Sequence, residues 1–135
     1  MPTGDSLEVD GVVVTWDPAA RTALMRFHPD GRATEHAARV ITRGLDQWSL
    51  GSGEPFALLV DCTRLADTTP GWRAVFAEFF KSHRETACIA WFNANPLIRM
   101  TVRMFVAATR AVGAAFATEP EARAWAFTVM GRPAP

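Results

Sequence analysis

Residues 56–61 read Phe56-Ala-Leu-Leu-Val-Asp61, and this stretch decides the predicted fold. Its five apolar residues form a continuous run of strand length, preceded by a glycine- and proline-containing loop and followed by polar residues. A continuous apolar run is typical of a central strand that is buried on both faces, as in a parallel sheet covered by helices. The stretch therefore predicts an α/β fold with this strand in the interior of the sheet.

Strands and helices alternate on the carboxyl side of this run. The apolar spacing predicts a helix over about 70–84, a buried strand over 87–92 and a helix over about 97–112. A short strand over 114–117 and a last helix, opened by a capping box at Thr118-Glu119-Pro120-Glu121, follow. Such alternation implies right-handed β-α-β-α-β-α crossovers and a mostly parallel sheet.

The amino-terminal side predicts an antiparallel hairpin and one helix. Residues 12–16 and 22–28 are rich in β-branched and aromatic side chains and are separated by turn residues. Thr34 can cap a helix that runs to about Trp48. We therefore expect a mixed four- to five-stranded sheet in a single domain over 1–135, with residues 1–10 as a flexible tail.

Composition excludes several classes of function. Fourteen basic side chains balance fourteen acidic ones, so there is no basic excess for nucleic acid. The chain has no apolar run long enough for a membrane span. Only two cysteines occur, Cys62 and Cys88, which suits a reducing compartment and predicts a cytoplasmic location.

The motifs of catalysis and metal binding are missing from the sequence. There is no nucleophile–base pair and no glycine-rich phosphate loop. The three histidines, His28, His36 and His83, do not have the spacing of a metal pair. We therefore predict a binding module with no catalytic residue, no metal and no cofactor.

Three segments, taken in their order along the chain, resemble a known family. They read FALLVDCTRL over 56–65, ACIAWFNANPLIR over 87–99 and FATEPEARAW over 116–125. They are similar to the central strand, the strand-to-helix passage and the closing helix of soluble STAS domains, in particular the SpoIIAA-like, STAS/SEC14-type branch. The resemblance implies a regulatory domain that binds partner proteins, and some of its members are switched by phosphorylation at the start of a helix.

The stretch after the central strand holds the candidate polar sites. Thr68 and Thr69 open the predicted second helix, where a phosphate would meet free backbone N–H groups, so they are candidate phospho-acceptors. The alternative is that one of them caps the helix. Asp61 and Asp67 could form a carboxylate pair, although aspartate at a strand end more often binds loop backbone.

The third helix is apolar over an arc too wide for contact with one sheet. Its arginines form a narrow line, and part of its apolar surface is expected to stay exposed and form an interface, giving a homodimer or a complex with another protein. The candidate interface residues are Ile98, Arg99, Arg103, Met104 and Phe105.

The alternative function is binding of a small lipophilic ligand between the helices and the sheet. The residues proposed for that pocket are Trp72, Phe76, Trp91 and Met100, although side chains of these types more often form plain core. A preformed apolar cavity would favour the ligand, whereas a filled core with an exposed apolar helix face would favour the protein partner.

Overall fold

A computed structural model describes residues 5–50, 53–65 and 68–132 of the chain. Six strands and four helices follow one another in these ranges. In chain order they are β1 Ser6–Val9, β2 Val12–Asp17, β3 Thr22–Phe27, α1 Glu35–Ser49, β4 Phe56–Asp61, α2 Pro70–Ser82, β5 Ala87–Phe92, α3 Pro96–Thr109, β6 Gly113–Ala115 and α4 Glu119–Val129.

The strands form one mixed sheet in which each strand pairs with the next one along the chain. β1, β2 and β3 are antiparallel, and β3 to β6 are parallel. The predicted α/β fold, with its amino-terminal hairpin and parallel crossovers, is therefore confirmed. Because right-handed crossovers that advance in one direction leave their helices on one face, α1, α2 and α3 share a face. α4 packs alone on the other face against β4 and β5.

The central strand β4 divides two apolar cores. Phe56, Leu58 and Val60 face the core under α1, α2 and α3, whereas Ala57 and Leu59 face the core under α4. All five residues are buried, as the continuous apolar run predicts. The first core is the larger of the two, and its aromatic part is supplied mainly by α2, through Trp72, Phe76, Phe79 and Phe80.

The first strand corrects the prediction of a flexible tail over residues 1–10 as far as residues 5–10 are concerned, and residues 1–4 lie outside the described residues. Ser6–Val9 pairs with β2, so the sheet has six strands and not four or five. Asp10 and Gly11 form the two-residue turn, both with positive φ, which is the backbone that an Asp-Gly hairpin turn adopts. A Cβ on Gly11 would lie 2.7 Å from the Gly31 Cα. Glycine is therefore required at position 11 both by the positive φ and by this close approach.

Helix α3 is the least buried of the helices on its face. Of its fourteen residues only Val102 is buried, whereas six of the fifteen residues of α1 are buried. Its first turn is held in place by the Asn95 side chain, which accepts a hydrogen bond from the Ile98 N–H at 2.9 Å. The Arg99 Nε donates to the Ala94 carbonyl at 3.0 Å, which ties the helix to the loop after β5. The partial burial of α3 leaves a space between it and α2.

Candidate ligand-binding site

An apolar cleft lies between α2 and α3 above the sheet, with a volume of about 240 Å³. We call it the α2–α3 cleft. Its floor is formed by strand residues from β3, β4 and β5, all of them buried. These residues are Met25, Phe27, Leu58, Val60 and Ile89. The floor belongs to the same core that α1 and α2 cover elsewhere, so the cleft opens from the surface onto that core.

Aromatic side chains form two opposite walls of the α2–α3 cleft. On the α2 side the rings of Trp72 and Phe76 lie 4.7 Å apart between centroids. On the α3 side Phe105 meets Trp91 of β5 edge to face, at 5.8 Å. Ile98 completes the α3 wall. Large rings that contact one another in this way give the cleft stiff walls.

The mouth of the cleft carries its polar groups. Arg73, Leu97 and Thr101 line it and are exposed, and Thr68 lines it half-buried. The Arg73 Nη1 donates hydrogen bonds to the Thr68 carbonyl and, at 2.8 Å, to the Thr68 hydroxyl. The sequence did not identify Arg73 as a residue that lines the cleft. The available signal for this role was that Arg73 directly follows Trp72, at the edge of the aromatic face of α2.

The structure brings three of the four predicted pocket residues together. Trp72, Phe76 and Trp91 line the cleft. Met100 does not, because it lies about 160° around the helix from Ile98 and its side chain is 52% exposed. Met100 is therefore removed from the predicted pocket.

The predicted interface residues of α3 do not share one surface. Ile98 and Phe105 are half-buried and face the α2–α3 cleft, whereas Met104 is 66% exposed and lies about 100° around the helix from Phe105. Arg99 binds the Ala94 carbonyl, and Arg103 is exposed. The exposed apolar flank of α3 consists of Leu97, Met100 and Met104, and Ile98 and Phe105 are excluded from it.

The two threonines before α2 have different roles. Thr69 is the N-cap, since its hydroxyl accepts from the Trp72 N–H at 3.1 Å and donates to the Ala33 carbonyl at 3.0 Å. The capping alternative is thus confirmed for Thr69. Thr68 lines the cleft and accepts from Arg73. Phosphorylation of either residue stays a prediction.

Asp61 is the centre of a small polar network at the carboxyl ends of β4 and β5. Its Oδ1 accepts from the Thr63 N–H, from the Thr63 hydroxyl at 2.6 Å and from the Asn93 Nδ2 at 3.0 Å. Burial raises the pKa of Asp61, but these hydrogen bonds and the Arg26 charge outweigh it, so the pKa lies below its ordinary value. Asp61 thus binds loop groups, and its predicted companion Asp67 lies outside the described residues.

Both cysteines are free and buried, on opposite faces of the sheet. Burial raises the pKa of each thiol to about 12, and at Cys62 the neighbouring Asp61 charge contributes. A thiolate is the reactive form, so we expect neither thiol of the native protein to react with a thiol reagent at about pH 8. Both should react after unfolding in denaturant. Rapid modification of the native protein would contradict the buried placement.

The described parts of the chain contain neither a metal cluster nor a membrane-spanning helix. In 5–50, 53–65 and 68–132, no group of three His, Cys, Asp or Glu side chains lies close enough together to hold a metal ion. Within the same ranges, no helix has the length and apolar character that crossing a bilayer demands.

Comparison of the chain with family models, curated proteins and solved structures found no match. The resemblance to STAS domains therefore stays an interpretation of three sequence segments.

Proposed function

We propose that this protein binds a small lipophilic ligand in the α2–α3 cleft. The observation that carries the proposal is the preformed cavity, about 240 Å³ in volume, with an apolar floor and aromatic walls. Ligand sites in proteins are typically concave, mostly apolar and provided with a few polar groups that orient the ligand. This cavity lies just below the usual size range of about 300–1,000 Å³, so a small ligand fits it best.

Packing energetics support an occupant. Protein interiors are normally filled to crystal-like density, and an unfilled apolar cavity costs free energy in proportion to its volume. Here Trp72 and Trp91 present ring surface to the open cleft. A ligand that covers this surface removes apolar area from water, which supplies the driving force for binding.

The chemistry of the lining supports binding over catalysis. Among the described residues that line the α2–α3 cleft, Arg73 alone carries an ionisable side chain, and arginine stays protonated. A general acid or base must exchange a proton near the working pH, and arginine does not. The two free cysteines support a cytoplasmic location for this binding protein, because such thiols persist in reducing compartments.

Filling the cleft is expected to weaken binding. The Ile98→Trp variant places a larger side chain in the α3 wall, so the affinity for 1-octanol should fall at least about tenfold, as for the loss of a well-buried apolar contact. Isothermal titration calorimetry measures the affinity, and binding of wild type should show a negative heat-capacity change.

The matched control is Met104→Trp, which adds a similar ring on the exposed side of the same helix. It should bind 1-octanol as wild type does. Absence of octanol binding by the wild-type protein, or equal losses in both variants, would show that the cleft is not the binding site.

A second function is supported by the exposed flank of α3. Leu97, Met100 and Met104 are 66%, 52% and 66% exposed and lie along one side of the helix. Contiguous exposed apolar side chains are typical of protein interfaces. We propose that this flank contacts a second copy of the chain or another protein, in the manner of a STAS-like regulatory domain.

A further inference from the structure

The α2–α3 cleft is polar at one end only. Its deep part is made by Leu58 and Ile89, which are paired across β4 and β5 and are 0% and 3% exposed. The polar lining residues Thr68, Arg73 and Thr101 belong to its exposed rim. A ligand that enters with an apolar part directed inward would therefore hold any polar group next to these three side chains.

Arg73 carries a charge at this rim without a charged partner in the described part of the chain. Both of its hydrogen bonds there come from Nη1 and go to neutral oxygens of Thr68, and no carboxylate of the described residues lies within ion-pair distance. These bonds hold the guanidinium group by one nitrogen. The planar group has five N–H donors, so Nε and Nη2 keep donors for a second acceptor. Two such donors match the two oxygens of a carboxylate.

The α3 side of the cleft favours an anion. No acidic residue occurs in the sequence from Ala87 to Thr118, a stretch that supplies the whole α3 wall and also contains three arginines, Arg99, Arg103 and Arg110. Among the described residues that line the cleft, none is acidic. A surface of one sign of charge raises the local concentration of the opposite ion.

We infer that the ligand of the α2–α3 cleft is an amphiphile with an apolar chain and a carboxylate, and that Arg73 binds the carboxylate. This inference rests on the proposed function, because the chain must first enter the cleft. The apolar chain covers the floor and aromatic walls, while the head group stays at the rim beside Thr101 and Thr68. Arg73 thus selects among ligands that have the same chain.

The test compares octanoate with 1-octanol, which have chains of equal length and differ in charge. At low salt and neutral pH we expect octanoate to bind wild type about tenfold more tightly than 1-octanol, the size expected for one charge-assisted hydrogen-bonded contact. Because the rim is exposed, this preference should shrink as salt screens the charges. In Arg73→Gln the preference for octanoate over 1-octanol should be lost.

Arg103→Gln is the matched control, since it removes the same charge from an exposed position that does not line the cleft. It should keep most of the preference for octanoate. Equal affinities of wild type for the two probes, or a preference that survives Arg73→Gln unchanged, would overturn the role of Arg73 and leave the proposed cleft in place. If neither probe binds wild type, the proposed function itself fails, and the inference with it.

Discussion

Replacing Phe80 by alanine is expected to lower the free energy of unfolding by about 3 to 5 kcal/mol, the usual cost of truncating a core aromatic residue. Phe80 is 0% exposed, and its ring meets that of Phe79 edge to face at 5.1 Å. The loss is large because the total stability of a domain of this kind is typically only about 5–15 kcal/mol. Urea unfolding measures it as a shift of the midpoint at an unchanged slope.

Trp72→Ala provides the comparison. Trp72 is 8% exposed and packs on Phe76, but one side of its ring faces the α2–α3 cleft, so it has fewer partner atoms to lose. Trp72→Ala should lower the free energy of unfolding by less than Phe80→Ala does, and it should weaken 1-octanol binding. Phe80→Ala should leave 1-octanol binding unchanged at temperatures where the variant is folded. A decrease in the free energy of unfolding of less than about 1 kcal/mol for Phe80→Ala would contradict the packing of the aromatic core.

Phe105→Glu and Met104→Glu, at neighbouring positions of α3, are expected to have opposite outcomes. Phe105 is half-buried against Trp91 and lines the cleft, so an unpaired carboxylate there should cost several kcal/mol and abolish octanol binding. Met104 is 66% exposed, and glutamate is a good helix former, so stability should change by less than about 0.5 kcal/mol. Unfolding and calorimetry of both variants test this difference. Equal destabilisation would mean that α3 is rotated about its axis relative to the described packing.

Sedimentation of the same variants tests the exposed flank of α3. If this flank joins two copies, wild type sediments as a dimer and Met104→Glu as a folded monomer, because pairing would bury the introduced charge. A wild-type protein that remains monomeric at high concentration would contradict self-association through the flank. That outcome would leave the ligand proposal unaffected, since Met104 does not line the cleft.

Most of the fold could be predicted from local sequence patterns. The apolar run at 56–60 predicted the central strand, and the structure buries all five residues. Thr34 was predicted to cap the first helix, and its hydroxyl accepts from the Ala37 N–H at 3.0 Å. These features depend on residues close together in sequence, so periodicity and capping chemistry suffice to find them. The strand Ser6–Val9 was missed because four residues carry little periodicity, although the Asp10-Gly11 turn signal was present.

The candidate site could be predicted only in part. Helical spacing places Ile98 and Phe105 on one flank of α3 and Leu97 and Met104 on the other. The structure keeps Met104 away from the cleft, whereas Leu97 lines the mouth of the cleft together with Ile98 and Phe105. The wide apolar arc of α3 does not indicate which flank faces the sheet, because both flanks are equally apolar. Contacts with Trp91 and with the strand floor, distant in sequence from most of α3, decide it.

The sequence by itself thus determined the order of strands and helices after residue 11, the apolar residues of the central strand and the caps Thr34 and Thr118. Tertiary structure alone decided that α2 and α3 stand far enough apart to leave the cleft open and that Arg73 lies at its rim. The physical reason is that local propensity and periodicity act within one element. The separation of two helices depends on how their side chains pack against each other and against a shared sheet.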